Sequence, residues 1–290
     1  MFPQRPGYMP TAAFFPPGTH TRAARLALFL GLAGACFGVT ATAGAPLEID
    51  RFSVEAGTFL LSTDTKVRVD GTAGQEGTEF DAERTLGYSD STRLRVDAAW
   101  RFANRHSVTA MWFDNTREST HVIDRQITVG DVTYPVNAEI RSKNSTSIFD
   151  LAYEYVFMQR ESWELAGSFG LHTIKFAMDL QAQSAGGQAA LSNEISTGAP
   201  LPLFGLRGTW QLTKQLQLNA HAQYFTLSIN EYSGEVIDLR ADATWMFTKN
   251  FGVGVGYNSF DFDVDIARPK FTGSLAWKYG GGLLFVRAAW

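Results

Sequence analysis

The feature that most limits what this chain can fold into is a polarity that alternates with period two in one segment after another. Leu94, Val96, Ala98 and Trp100 alternate with Arg93, Arg95, Asp97 and Arg101. Phe149, Leu151, Tyr153, Tyr155 and Phe157 alternate with Asp150, Ala152 and Glu154. The same beat sets Glu164, Ser168 and His172 against Leu165, Phe169 and Leu171, and Asp238, Arg240 and Asp242 against Ile237, Leu239 and Ala241. Successive side chains of a strand point to opposite faces, so each segment reads as a strand with one polar and one apolar face. Beyond the N-terminal region no run of 18 apolar residues occurs, which excludes a helical membrane span there.

A soluble β-sandwich alternates too. Two further features favour a barrel in lipid. Aromatic residues gather at strand ends, among them Trp100, Trp112, Phe157, Trp163, Trp210, Trp245, Phe251 and Trp277, where rings with one polar edge suit a membrane–water interface. Short polar links at 103–105, 159–161, 213–215 and 248–250 alternate with longer links near 64–90, 116–146 and 179–200, and with links near 230–234 and 265–270. That is the rhythm of short periplasmic turns and longer outer loops. The expected fold is all-β, a transmembrane antiparallel up-and-down β-barrel of about ten strands in a bacterial outer membrane. The strands are predicted at 51–63, 91–102, 106–116, 145–158, 162–178, 201–212, 215–229, 235–247, 251–264 and 270–290. The last has a parity conflict: Leu275, Trp277 and Tyr279 are odd, whereas Leu284, Val286, Ala288 and Trp290 are even. A bulge at Gly280–Gly282 would flip the face and keep one strand.

Residues 1–43 are expected to be a signal peptide. Arg22 and Arg25 precede an apolar stretch over 26–39, too short to span a membrane, and Ala41 and Ala43 supply small residues for cleavage. The barrel then occupies 44–290. Removal of the signal peptide takes Arg5, Arg22 and Arg25 and no acidic residue, which moves the net charge from −4 to −7 and argues against a nucleic-acid partner. Cys36, the one cysteine, is lost as well, so the mature chain has no disulfide to form.

The closing stretch GLLFVRAAW, 282–290, resembles the C-terminal signature of outer-membrane barrels that is read by the barrel-assembly machinery, with Trp290 where Phe is usual. The segment GTEFDAERTLG, 77–87, resembles one that follows the first strand in a group of small uncharacterised Gram-negative barrel proteins, and YNSFDFDVD, 257–265, resembles that group's penultimate strand. The resemblance implies the architecture and carries no chemistry.

Alternation places one set of charges inside the barrel: Glu55 on the first strand; Arg93, Arg95, Asp97 and Arg101 on the second; Asp150, Glu154 and Glu164 on the next pair. Arg207, Asp238, Arg240, Asp242 and Lys278 follow. Opposite charges in a narrow lumen are expected to pair, because an unpaired buried charge is costly. A salt-bridged plug is therefore expected, with a narrow channel for ions or small solutes as the alternative. His172 and His221 show no local partner of the kind a general base needs, so an enzyme such as a rim-site hydrolase of lipid or peptide is not expected. Asp261, Asp263 and Asp265 share one strand face and are a possible Ca²⁺ or Mg²⁺ site, with a solvated strand end as the blander reading. No cofactor is implied. The expected partners are outer-membrane lipid, lipopolysaccharide and the assembly machinery, and the expected state is a monomer with a structural or surface-interaction role.

Overall fold

The computed structural model describes residues 44–290 apart from 73, 183–190, 230–231 and 269–270, with the side chains of 191–200, 227–229, 232, 266–268 and 271 also outside the description. The expected signal segment and part of the links near 179–200, 230–234 and 265–270 therefore lie outside the described residues.

Ten long strands close on themselves. They are β1 (Phe52–Val69), β3 (Ser91–Ala103), β4 (His106–Val122), β7 (Glu139–Gln159), β8 (Trp163–Ala182), β9 (Leu191–Gln211), β10 (Leu216–Ile229), β11 (Tyr232–Met246), β12 (Phe251–Arg268) and β13 (Phe271–Ala289). Each pairs antiparallel with the next, and β13 pairs with β1 from Ser53↔Ala289 to Val69↔Gly273, so no edge is left open. Two loops carry structure of their own. One holds β2 (Phe80–Asp81), which pairs with β1, and helix α1 (Ala82–Leu86); the other holds the hairpin β5 (Ile127–Val129) and β6 (Val132–Tyr134). Both chain ends of the barrel and the short turns at 104–105, 160–162, 212–215 and 247–250 share one end, the periplasmic end by the rule that periplasmic turns are short.

Several strands run well past their predicted ends: β1 reaches Val69, β4 reaches Val122 and β7 starts at Glu139. The reason is visible on their outer faces. On β7, Phe149, Leu151, Tyr153, Tyr155 and Phe157 are exposed apolar side chains, whereas Arg141, Lys143, Ser145 and Ser147 continue the same face beyond them. The apolar stretch covers the 9–11 or so residues a tilted strand needs to cross a bilayer. What lies above it stands in water.

Inside, the polarity is reversed. On β1 the lumen side passes from Ser53 and Glu55 to Phe59, Leu61, Val67 and Val69; on β8 it passes from Glu164 and Ser168 to Ile174, Phe176, Met178 and Leu180. Within the lipid band the wall is apolar outside and polar inside; above it the wall is polar outside and apolar inside, as in a soluble protein.

The expected bulge at Gly280–Gly282 is absent. β13 keeps one register against both β12 and β1 throughout that stretch. Its odd positions from Gly273 to Ala289 face the lumen, so Leu275, Trp277 and Tyr279 are core residues rather than lipid-facing ones. Register shifts occur instead near the periplasmic turns, between Arg101 and Ala103 against β4 and between Val156 and Met158 against β8. The parity conflict in the sequence marks the change of polarity along the barrel, not a change of face.

Trp290 closes the ring. Its backbone NH donates to the Phe52 carbonyl at 2.9 Å, its carbonyl accepts from the Arg51 and Phe52 NH groups, and its ring stacks on Phe52 at 5.9 Å. Phe52 stacks in turn on Trp100 at 6.0 Å, which begins an aromatic girdle at the periplasmic rim.

Candidate functional site

The lumen holds three stacked regions: an ionic network and cavity at the periplasmic end, an aromatic layer above it, and a cap at the outer mouth.

The network has two hubs. The Arg240 guanidinium reaches Glu55 at 2.8 Å, Asp97 at 3.1 Å and Asp242 at 3.0 Å. Arg95 shares Asp97 at 3.0 Å, and Arg287 bridges Glu55 at 2.6 Å and Asp50 at 3.2 Å. Across the lumen, Arg207 reaches Glu154 at 2.9 Å and Glu164 at 3.1 Å, and Arg101 joins Glu164 at 2.6 Å. Inside a low-dielectric wall such shared pairs satisfy charges that would be costly alone. Phe285 lies against one hub, with Arg240 5.5 Å from its ring centre. Its ring fits because β12 has Gly254 there, where an added Cβ would sit 2.2 Å from the ring.

The structure brings together nearly all the charges predicted for the lumen. Arg93 is also inside but higher, with Nε donating to Asn115 at 2.9 Å. Lys278 is the correction. It lies on the outer face, where it pairs with Asp261 at 2.9 Å, because without a bulge its even position points away from the lumen. Arg287, which sequence reasoning omitted, takes a place in the network. Its position between outward Val286 and Ala288 was the available signal.

Around these groups lies a cavity of about 210 Å³. The segment 44–50 runs across its periplasmic side: Leu47 NH donates to the Glu161 carbonyl at 2.6 Å, and Leu47, Glu48, Ile49 and Asp50 line the space. Two buried carboxylates of the lining stand outside the guanidinium network, as does the exposed Glu48. Asp150 meets the His172 Nδ1 at 3.3 Å, and Asp238 accepts from the Asn258 amide, whose oxygen in turn accepts from Arg95 at 2.6 Å.

Above the cavity, side chains of five strands meet. Phe59 packs on Phe113 and on Tyr279 at 5.6 Å each, Tyr279 stacks on Phe260 at 4.8 Å, Trp277 lies 5.0 Å from Tyr279, and His172 stacks on Phe260 at 5.4 Å. All of them are buried. The acid partner for His172 that local sequence does not show comes from the neighbouring strand, as Asp150, yet the ring is enclosed at the centre of the barrel rather than at its rim. His221 lines the cavity, with its Nε2 buried and without a hydrogen-bond partner.

The segment 77–87 forms the cap. Phe80, Ala82 and Leu86 are buried, Asp81 caps α1 by accepting from the Arg84 NH, and Gly87 ends it at φ 72°, a left-handed conformation suited to glycine. Glu83 accepts from the Thr65 NH at 2.6 Å and pairs with Arg117 at 2.7 Å. Thr78 exchanges hydrogen bonds with Thr128 of the β5–β6 hairpin, and Tyr134 of that hairpin donates to the Leu180 carbonyl at 3.2 Å. Burial pushes the phenol of Tyr88 up to about 12, and burial with the nearby Asp179 charge does the same for Tyr134.

Asp261, Asp263 and Asp265 lie on the outer face of β12 above the lipid band. Among the described residues no three metal-ligating side chains converge, there or elsewhere.

No family model matches the chain, and no curated protein matches it in sequence. Solved structures do match in fold. The outer membrane protease OmpT from Escherichia coli aligns with a TM-score of 0.57 at 12% identity, covering 87% of this chain and 99% of that one. The Pseudomonas putida toluene transporter TodX aligns at 0.36 with 9% identity over 84% and 91%, and Ail, the attachment invasion locus protein of Yersinia pestis, at 0.33 with 12% identity over 81% and 97%. The likeness to OmpT shows the fold, that of an outer-membrane β-barrel.

Proposed function

We propose that this barrel is a non-enzymatic envelope protein with a closed lumen, acting through structure or through its outer surface. The aromatic layer from Phe59 to Trp277, buried across the lumen above the ionic network, is the observation that carries this reading. A conduit would need that layer and the Glu83–Arg117 cap to part together. Above the lipid band the strands present charges of both signs, including Lys66, Asp64, Lys143 and Glu118, a surface suited to contact with lipopolysaccharide head groups or other envelope components. Trp290 at the ring closure fits recognition by the assembly machinery, and the chain acts as a monomer. In planar bilayers the refolded mature chain is expected to give no unitary openings, while a heat-modifiable band on a gel reports folding. Steady unitary currents would overturn the reading in favour of a narrow channel. Hydrolysis of peptide or lipid A that vanished with His172→Ala would overturn it in favour of an enzyme.

A further inference from the structure

We infer that the periplasm-facing cavity binds a small organic cation with several N–H donors, of the diamine type, through the carboxylates of Asp150 and Asp238. Among the described residues, nine carboxylates line the cavity against five guanidiniums. The five arginines are committed: each forms an ion pair with Asp50, Glu55, Asp97, Asp242, Glu154 or Glu164. Asp150 and Asp238, 7% and 6% exposed, pair with no arginine or lysine among the described residues; the one has the His172 ring, the other the Asn258 amide. Asp150 has the His172 ring as an ion partner, whereas Asp238 has none among the described residues; a buried carboxylate without a counter-charge is strongly disfavoured, so the cavity is short of positive charge at Asp238.

A second observation is independent of that charge balance. Glu164 Oε2 and Gln223 Oε1, in lining side chains 1% and 2% exposed, are buried acceptors without a hydrogen-bond partner. A buried acceptor left unmet costs its full desolvation, and what it requires is a donor. Surplus negative charge and unmet acceptors in one cavity specify a ligand that is both cationic and rich in N–H. A chelated metal ion fits less well, because no three ligating groups converge among the described residues, whereas two ammonium ends can reach separated acceptors one by one. Glu48 and Asp50 on the segment across the mouth extend the negative field to the entrance, where it favours cations. The site is entered from the periplasm, so it is independent of whether the lumen conducts.

The test is calorimetric titration of the full mature chain, refolded in an uncharged detergent at physiological ionic strength, with 1,4-diaminobutane, 1,4-butanediol and succinate as probes. One-site binding of the diamine is expected, with none for the diol or the dianion. Asp150→Asn and Asp238→Asn should each weaken it about tenfold or more, since charge-assisted hydrogen bonds are the strong ones. Asp261→Asn, on the outer face, should leave it unchanged. No saturable diamine binding, equal binding of the diol, or binding lost with Asp261→Asn but kept with Asp238→Asn would each overturn the inference. If the carboxylate variants lose the heat-modifiable band, the preference of the wild-type chain for diamine over diol decides, with Gln223→Leu as the charge-neutral variant expected to weaken binding.

Discussion

Along β1 the outward residues Phe52, Val54 and Leu60 face lipid, and Ser62, Asp64, Lys66 and Arg68 continue that face in water; inward, Glu55 gives way to Phe59, Leu61 and Val67. The lower half of the barrel is held by ion pairs around Arg240 and Arg207, the upper half by an apolar core with Phe113, Ile148, Phe176 and Trp277. One sheet thus serves two solvents. A strand requires only that its faces alternate; which face is apolar depends on what lies outside. Lipid outside leaves the lumen free for paired charges, and water outside demands that the lumen carry the hydrophobic core.

The largest expected effects come from removing the centre of either half. Phe113→Ala should cost about 3–5 kcal/mol through lost burial and the cavity left behind. Arg240→Met should cost a similar 3–5 kcal/mol or so for a different reason, since Glu55, Asp97 and Asp242 lose their shared counter-charge. Urea unfolding in lipid vesicles measures both. An Arg240→Met chain as stable as wild type would mean that the lower half does not depend on its ion pairs.

Outer-face substitutions sharpen the contrast. Leu151→Arg, within the lipid band, should cost about 2–4 kcal/mol in the same unfolding measurement. Lys143→Ala, on the same strand face above the band, should stay within about 0.5 kcal/mol. Equal costs would move the boundary between the two regimes.

A pH-dependent effect concerns the cap. Tyr88 and Tyr134 hold their protons to about pH 12, against an ordinary value of 10.0. Because the folded values are the raised ones, the cap keeps its full stability below pH 10 and loses it as pH rises towards 12. Late ionisation of Tyr88 and Tyr134, assigned in an ultraviolet titration by their Phe variants, together with faster proteolysis of the 70–90 loop in that window, is expected. Ordinary titration of all the tyrosines would remove the buried cap.

Much of this was legible in the sequence, because a strand's alternation is a local property. Ten strands, short periplasmic turns and the inward positions of Arg95, Asp97, Arg207 and Arg240 follow from counting alone. The failures share one cause. A single polarity rule along the whole strand puts Trp277 on the outer face with the interfacial rings and Lys278 in the lumen, yet the rule inverts where the strand leaves the membrane. The upper strand extensions escaped notice for the same reason, since Ser and Thr on both faces blur the beat there. The 77–87 segment stood out by resemblance, but nothing local shows that Glu83 turns inward to Arg117.

The sequence by itself determined the class of fold, the number of barrel strands and the two faces of each strand, since these depend on neighbours along the chain. Only the tertiary structure decided which carboxylate meets which guanidinium, that five strands join their rings into a layer across the lumen, and that Asp150 and Asp238 have no arginine partner among the described residues. Those facts join residues far apart in sequence, and they are set by the register and closure of the barrel, which period-two alternation does not encode.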